Sequence, residues 1–212
     1  LFDNLIPSEE VNMNELIGQT ISISYSGTIN CVVSGKRINK AYGDGMSYDA
    51  FKSSPLAVES IIRPELSKIH EGIALRDYDW EMKHHFQPHY VYLSKTAGVK
   101  VGVTRTTQIP TRWIDQGASE ALIIAETPYR QAAGLIEIKL KNYISDRTNW
   151  RKMLQNNLVE DDLYELRNEL ISFVDDELIQ YMKKSEQLTH LKFPVLRYPK
   201  KVKSVGLDKC PL

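Results

Sequence analysis

Residues 89–113, HYVYLSKTAGVKVGVTRTTQIPTRW, constrain the fold of this chain more than any other stretch. Tyr90-Val91-Tyr92-Leu93 alternates, Lys95-Thr96-Ala97-Gly98 forms a turn, and Val99-Lys100-Val101-Gly102-Val103-Thr104 alternates again. Two period-two runs joined by a short Gly-containing loop predict a β-hairpin. The hairpin is also charged one way. Between residues 82 and 114 there is no Asp or Glu, whereas Lys83, Lys95, Lys100, Arg105, Arg112 and His84, His85 and His89 all fall there. A hairpin followed by an arginine-bearing helix suits a phosphate-facing surface.

The flanks predict a mixed α+β chain. In residues 20–25, Ile21, Ile23 and Tyr25 alternate with Ser22 and Ser24. Ile29, Cys31 and Val33 alternate again after Ser26-Gly27, which predicts an N-terminal hairpin with one buried face. Residues 55–66 hold a short helix broken by Pro64, and residues 71–80 read as polar loop. Pro110 opens a short helix closed by Gly117. Residues 119–126 form a third strand. A longer helix over 128–143 carries Ala133, Ile136, Leu140 and Tyr143 on one stripe, with Gly134 as a point of close helix–strand contact. Thr148 caps a helix over 149–156. Asp161 or Asp162 caps an amphipathic helix that runs to about residue 184. Residues 191–198 form an edge strand, since Pro194 interrupts them. The expected partition is a β-rich unit over 1–85, an α/β core over 86–157, and a C-terminal helix with a basic strand and tail over 158–212.

Length and composition set outer bounds. The chain has 212 residues, 42% hydrophobic and 25% charged, an ordinary globular make-up for one large or two small domains. No apolar run approaches the ~18 residues of a membrane span, and the first ten residues lack the pattern of a signal peptide. The chain starts at Leu1, so residues upstream are expected. Two cysteines, Cys31 and Cys210, are too few for a disulfide framework, so a reducing cytoplasm is the default. The 27 basic and 27 acidic residues balance, which argues against polyanion binding by the whole surface. They segregate, however. Residues 160–177 hold eight acidic groups and one basic, Arg167, while residues 192–209 hold six basic groups and one acidic, Asp208. CVVS at 31–34 and SYDA at 47–50 fall where two Cys-x-x-Cys knuckles of a zinc ribbon would stand. With Cys31 alone, or Cys31 and His70, a structural zinc site lacks ligands. No zinc is expected, and Cys31 reads as a small buried hydrophobe. The i, i+1, i+5 spacing of His84, His85 and His89 is not a helical metal pair.

The order strand, turn, strand, arginine helix, strand, glutamate helix resembles the core of the GIY-YIG nucleases over residues 89–150. Tyr90-Val91-Tyr92 is similar to the first signature strand, with Tyr92 at its tyrosine. Lys100-Val101-Gly102 is similar to the second, with Gly102 at its glycine and Lys100 where the family has tyrosine. Arg112 corresponds to the family's arginine, Glu137 to its metal-binding glutamate, and Asn149 stands nearest its late asparagine. The full chain also resembles a bacterial family of unknown function through PHYVYL (88–93), VKVGVTR (99–105), QIPTRWIDQGA (108–118), RTNWRKML (147–154) and RPEL (63–66). Members of that family often carry cysteine where this chain has Ser34, Ser47, Ala50, Ser60 and Ser67. This implies a degenerate zinc ribbon. They also continue beyond the Leu212 position, so a Gly-rich strand is expected downstream.

The nuclease resemblance implies metal-assisted phosphodiester hydrolysis on DNA or RNA. Glu137 would hold one Mg²⁺ or Mn²⁺, and Arg112 would clamp phosphate oxygens through its planar fork. Tyr92 would orient or deprotonate the attacking water, and Lys100 would neutralise the phosphate. Arg105 and Lys95 add phosphate contacts. Each has a simpler role: Tyr92 packing on the core, Lys100 facing solvent, Arg112 pairing with Asp115, and Glu137 pairing with Lys141. Two other functions fit the same residues. One is a non-catalytic nucleic-acid-binding module. The other is a protein-interaction scaffold using the acidic 160–177 segment.

Overall fold

A computed structural model describes residues 12–194, apart from 23 and 158. It is mixed α+β, with a two-stranded and a four-stranded sheet, both antiparallel. The elements in chain order are β1 (Ile29–Asn30), β2 (Arg37–Ile38), α1 (Tyr48–Ser53), α2 (Tyr78–His85), β3 (His89–Lys95), β4 (Val99–Arg105), α3 (Thr111–Asp115), β5 (Glu120–Thr127), α4 (Arg130–Leu140), α5 (Trp150–Leu154), α6 (Leu163–Leu170), α7 (Asp176–Ile179) and β6 (Thr189–Lys192). No helix among the described residues is long and apolar enough to cross a membrane.

The central hairpin forms as its alternation predicts. The large sheet has the order β4-β3-β5-β6, and β3 pairs with β4 from His89↔Arg105 to Lys95↔Val99. Side chains alternate across a strand, so the sheet has two separate apolar layers. Val91, Leu93, Val101, Leu122 and Ile124 pack with Ala133, Ile136 and Leu140 of α4 and with Leu163 and Leu170 of α6. On the other face Tyr92, Ala121 and Ile123 pack with Trp113 of α3 and with Ala118. Trp113 is wholly buried, so the short helix α3 is anchored by one large side chain. Burying an aromatic or aliphatic side chain of this size is worth about 1.5–3 kcal/mol.

The N-terminal hairpin lies later than its sequence pattern suggests. The described residues of 20–25 are not in a strand, and Ile21 and Tyr25 are exposed. The pairing is Ile29↔Ile38 and Asn30↔Arg37. The reason is where this unit finds its core, which consists of Cys31, Met46 and Ala50. The chain folds back on Cys31 itself: its Sγ accepts the backbone N–H of Ser34 at 3.4 Å and of Ser47 at 3.1 Å. Val32 N–H reaches Gly45 O at 2.9 Å. Cys31 is buried as expected, and it also acts as a hydrogen-bond acceptor. A hydrogen bond from the Ser34 side chain, then the backbone bonds, pulls its thiol down to about 6.

Other boundaries shift for local reasons. Residues 55–66 form three 3₁₀ turns, Pro55–Ala57, Glu59–Ile61 and Pro64–Leu66, in place of a helix. Residues 78–80, expected in a loop, open α2 because Asp77 caps it by accepting Trp80 N–H at 2.8 Å. Asn149, rather than Thr148, caps α5. Asp162 caps α6 through Tyr164 and Glu165 N–H. The amphipathic helix does not continue to residue 184. It ends near residue 173, Val174 is extended, and α7 starts afresh after Asp175. Asp175, Asp176 and Glu177 would lie unfavourably in a helix interior near a C-terminus, but suit a new N-terminus. Tyr143 lies beyond α4, exposed and stacked on Phe173 at 3.6 Å. β6 is an edge strand on β5. The expected remainder of that strand past residue 194, and the basic tail, lie outside the described residues.

Gly134 marks a helix–turn contact and not the helix–strand contact expected from sequence. A Cβ there would fall 2.6 Å from the carbonyl carbon of Pro64 and closer still to Glu65 N. Arg130, one turn earlier on α4, donates to Ser60 O at 2.7 Å and to Ile61 O at 2.8 Å. The turns at 59–66 are thus pressed onto α4. Replacing Gly134 with Ala is expected to cost about 1–3 kcal/mol through overpacking. Thermal denaturation checks this, and an unchanged midpoint would disprove the close contact.

Candidate functional site

Tyr92 and Lys100 extend from the sheet face that holds Trp113, and Glu137 extends from the helix on the opposite face. They meet because β4 is the sheet edge. A cavity of about 570 Å³ lies there, lined by Tyr92, Lys100, Gly102, Arg105, Arg112 and Glu137 among others. Five of the six sequence-nominated residues therefore line one cavity. The sixth, Lys95, does not. It pairs with Glu120 at 3.3 Å, and Glu120 also meets His190 at 3.0 Å, so Lys95 belongs to a network tying β3, β5 and β6.

The Tyr92–Gly102 pair is a steric requirement. The two residues face each other across β3 and β4. A Cβ at position 102 would sit 2.7 Å from the Tyr92 hydroxyl oxygen and 2.8 Å from its ring carbon. Only glycine lets the phenol lie over β4 and bring its hydroxyl into the cavity. Gln116, just past α3, joins the other two groups. Its Oε1 accepts from Tyr92 Oη at 3.2 Å and from Lys100 Nζ at 2.6 Å. Lys100 is buried and hydrogen-bonded, not solvent-facing.

The electrostatics follow from burial among like and unlike charges. Burial pushes Tyr92 up to about 12; Arg112 opposes the shift and Glu137 adds to it. Burial, with Arg112 beside it, brings Lys100 down to about 8. Glu137 is raised to about 7, first by burial, then by the Asp146 carboxylate, with Arg130 and Lys141 opposing and Glu65 adding. Burial also lowers Arg130 to about 10. Cations lining the cavity (Lys100, Arg105, Arg112, Arg130, Lys141, Arg147) outnumber the carboxylates (Glu65, Glu137, Asp146) two to one. A cavity so charged attracts anions while keeping the half-buried Glu137 carboxylate available.

The sequence reading missed Gln116, Arg130, Asp146 and the Trp80–His84 wall. Two of these had a signal. Gln116 lies four residues after Arg112, and Arg130 seven before Glu137; both spacings keep to one helical face. Asp146 reaches the site through tertiary structure alone. Val101 N–H bonds Ser145 O at 2.9 Å, which fastens the 145–147 segment along β4. Trp80 and His84 required α2, whose first turn, residues 78–80, the sequence reading placed in a loop.

No group of three or more His, Cys, Asp or Glu placed to hold a metal occurs among the described residues. Glu137 is the cavity residue that could hold a divalent cation, with Asp146 the carboxylate acting on it. Glu137 is kept partly protonated by burial and a neighbouring carboxylate, a condition that a cation relieves, and Mg²⁺ commonly binds through one or two carboxylates with water and phosphate completing its shell. Ionised Glu137 also costs stability. Its proton affinity is raised in the folded state from 4.5 to about 7, so the cost is absent below about pH 4 and develops as pH rises through 7.

The class this defines is a mixed α+β protein with a cation-rich cleft at a sheet edge. The chain belongs to a family described as "Protein of unknown function (DUF2797)", whose model matches residues 18–212. Comparison with curated proteins and with solved structures gave no match.

Two outcomes are expected at Glu137. Mn²⁺ affinity, followed by the paramagnetic resonance of the free ion, should rise about tenfold per pH unit below pH 7 and level off above it. Glu137→Gln should abolish binding yet raise the metal-free unfolding midpoint above pH 7, with no gain at pH 4. Affinity independent of pH, or a gain equal at both pH values, would contradict the placement of this carboxylate.

Proposed function

We propose that this protein is a metal-dependent phosphodiesterase acting on nucleic acid, with a GIY-YIG-like core over 89–150. The observation that carries this reading is the meeting of Tyr92, Lys100, Arg112 and Glu137 in one cavity, although they come from four different elements. The close Tyr92–Gly102 pairing supports it, because it gives a physical reason for tyrosine and glycine in the two signature strands. The degenerate zinc ribbon belongs to the same reading. Cys31 accepts two backbone N–H bonds in a loop where Ser34, Ser47 and Ala50 stand at the remaining knuckle positions.

A divalent cation bound at Glu137 would offset charge on the phosphate and the leaving oxygen. The chain's own residues do the rest. Arg112 and Arg105 hold the non-bridging oxygens. Tyr92, with its proton affinity raised, stays a neutral phenol and orients the attacking water by hydrogen bonding. Lys100, lowered to about 8, takes the water's proton in its neutral form. The oxygen–phosphorus bond formed by water replaces the bond to the leaving oxygen, which leaves as an alcohol on receiving the proton that Lys100 took from the water. Gln116 fixes the Tyr92 hydroxyl and the Lys100 amine on one oxygen.

A nuclease assay with Mg²⁺ or Mn²⁺ on DNA and RNA tests the reading. Glu137→Ala and Arg112→Ala should each lower cleavage at least about 100-fold, the usual scale for one electrostatic group. Activity unchanged in both variants would rule out the catalytic assignment. Salt-sensitive binding without cleavage would identify a non-catalytic nucleic-acid-binding module instead.

A further inference from the structure

The cavity has a second wall that hydrolysis does not use. Trp80 and His84, one turn apart on α2, stack at 4.2 Å with their planes 21° apart, and both rings line the cavity. Ile61 and Ile62 line it beside them, and both are exposed, Ile62 at 87%. Across the cavity lie Arg105 and Arg112. An aromatic stack with apolar neighbours on one side and fixed cations on the other matches the two halves of a nucleotide, a base with a π face and an anionic phosphate. The wall is held in place. His84 Nδ1 lies 2.7 Å from Trp80 O, and Arg130 fixes Ser60 O and Ile61 O. Its volume falls in the range of about 300–1,000 Å³ typical of small-ligand sites.

We propose that the Trp80–His84 stack is a nucleobase platform, so that the cavity takes a nucleotide whose base is unpaired. This rests on the phosphodiesterase reading and narrows its substrate class to single-stranded or unstacked nucleic acid. A paired base keeps its faces inside the duplex and cannot extend the ring stack. Its phosphates would still reach the arginines, so duplex binds through charge alone. The alternation of roles is built into α4, which carries Glu137 toward the phosphate and Arg130 toward the apolar wall.

The test titrates the full chain against a dye-labelled thymidine oligonucleotide and a labelled duplex of equal phosphate content, read by anisotropy of the dye for every variant and also by tryptophan emission for the chain that keeps Trp80. Mg²⁺ is omitted to prevent cleavage. Trp113 is buried, and Trp150 is removed as Trp150→Phe, so the response reports Trp80. The single strand should quench emission saturably and bind at least about tenfold tighter than the duplex. Trp80→Ala should weaken single-strand binding roughly tenfold to hundredfold and leave duplex binding and its salt slope unchanged. Trp80→Phe, which keeps a π face, should restore most of the affinity; this separates stacking from misfolding. Arg112→Ala should reduce the salt slope for both polymers. Equal affinity for both polymers, with Trp80→Ala silent and Arg112→Ala effective, overturns the platform and leaves phosphodiester recognition standing. Trp80-dependent single-strand binding with cleavage indifferent to Glu137 and Arg112 overturns the catalytic reading and supports the platform.

Discussion

The close seating of α4 governs this molecule. On one side Ala133, Ile136 and Leu140 bury into the sheet. On the other, Gly134 lets the turn at 64–65 approach closer than any side chain would permit. A helix held between two surfaces cannot rotate, and rotation by one residue, about 100°, would carry Glu137 out of the cavity. The site's half-buried carboxylate is thus placed by packing several residues away from it. The same contact ties the N-terminal turns to the hairpin, through Arg130 and the carbonyls of Ser60 and Ile61.

Glu137 and Lys100 illustrate how one cavity shifts an acid and a base toward neutrality without joining them in a direct pair. Lys100 is buried and Glu137 half-buried, and loss of water penalises the ionised form of each: the carboxyl rises and the amine falls, each toward neutrality. Arg112 and Asp146 push them further the same way. The result is two groups whose protonation changes at ordinary pH, which a solvent-exposed pair at the same spacing would not offer.

Much of this was legible in the sequence, and the part that was not has a pattern. The hairpin, the arginine helix, β5 and α4 follow from alternation and helical spacing, because their apolar residues face a core that the same residues create. Glu137 was legible as a polar position beside the buried stripe. The N-terminal strand was misplaced because alternation in 20–25 has no core to face, while the segment that folds does so around a sulfur atom. The second amphipathic helix was overextended because its apolar spacing continues past a break set by three consecutive carboxylates. Trp80 and His84 were invisible as a wall because only the cap at Asp77 turns that polar stretch into a helix, and Asp146 was invisible because strand pairing through Ser145 brings it to the cavity.

The link from Val101 N–H to Ser145 O has another effect. β4 is an outer strand, and an outer strand with free backbone groups can recruit strands from other copies of the chain. At its middle, residues 100–101 are already occupied by a segment of the same polypeptide. The segment that completes the cavity therefore also guards against self-association, and a substitution that loosened it would endanger solubility as well as chemistry.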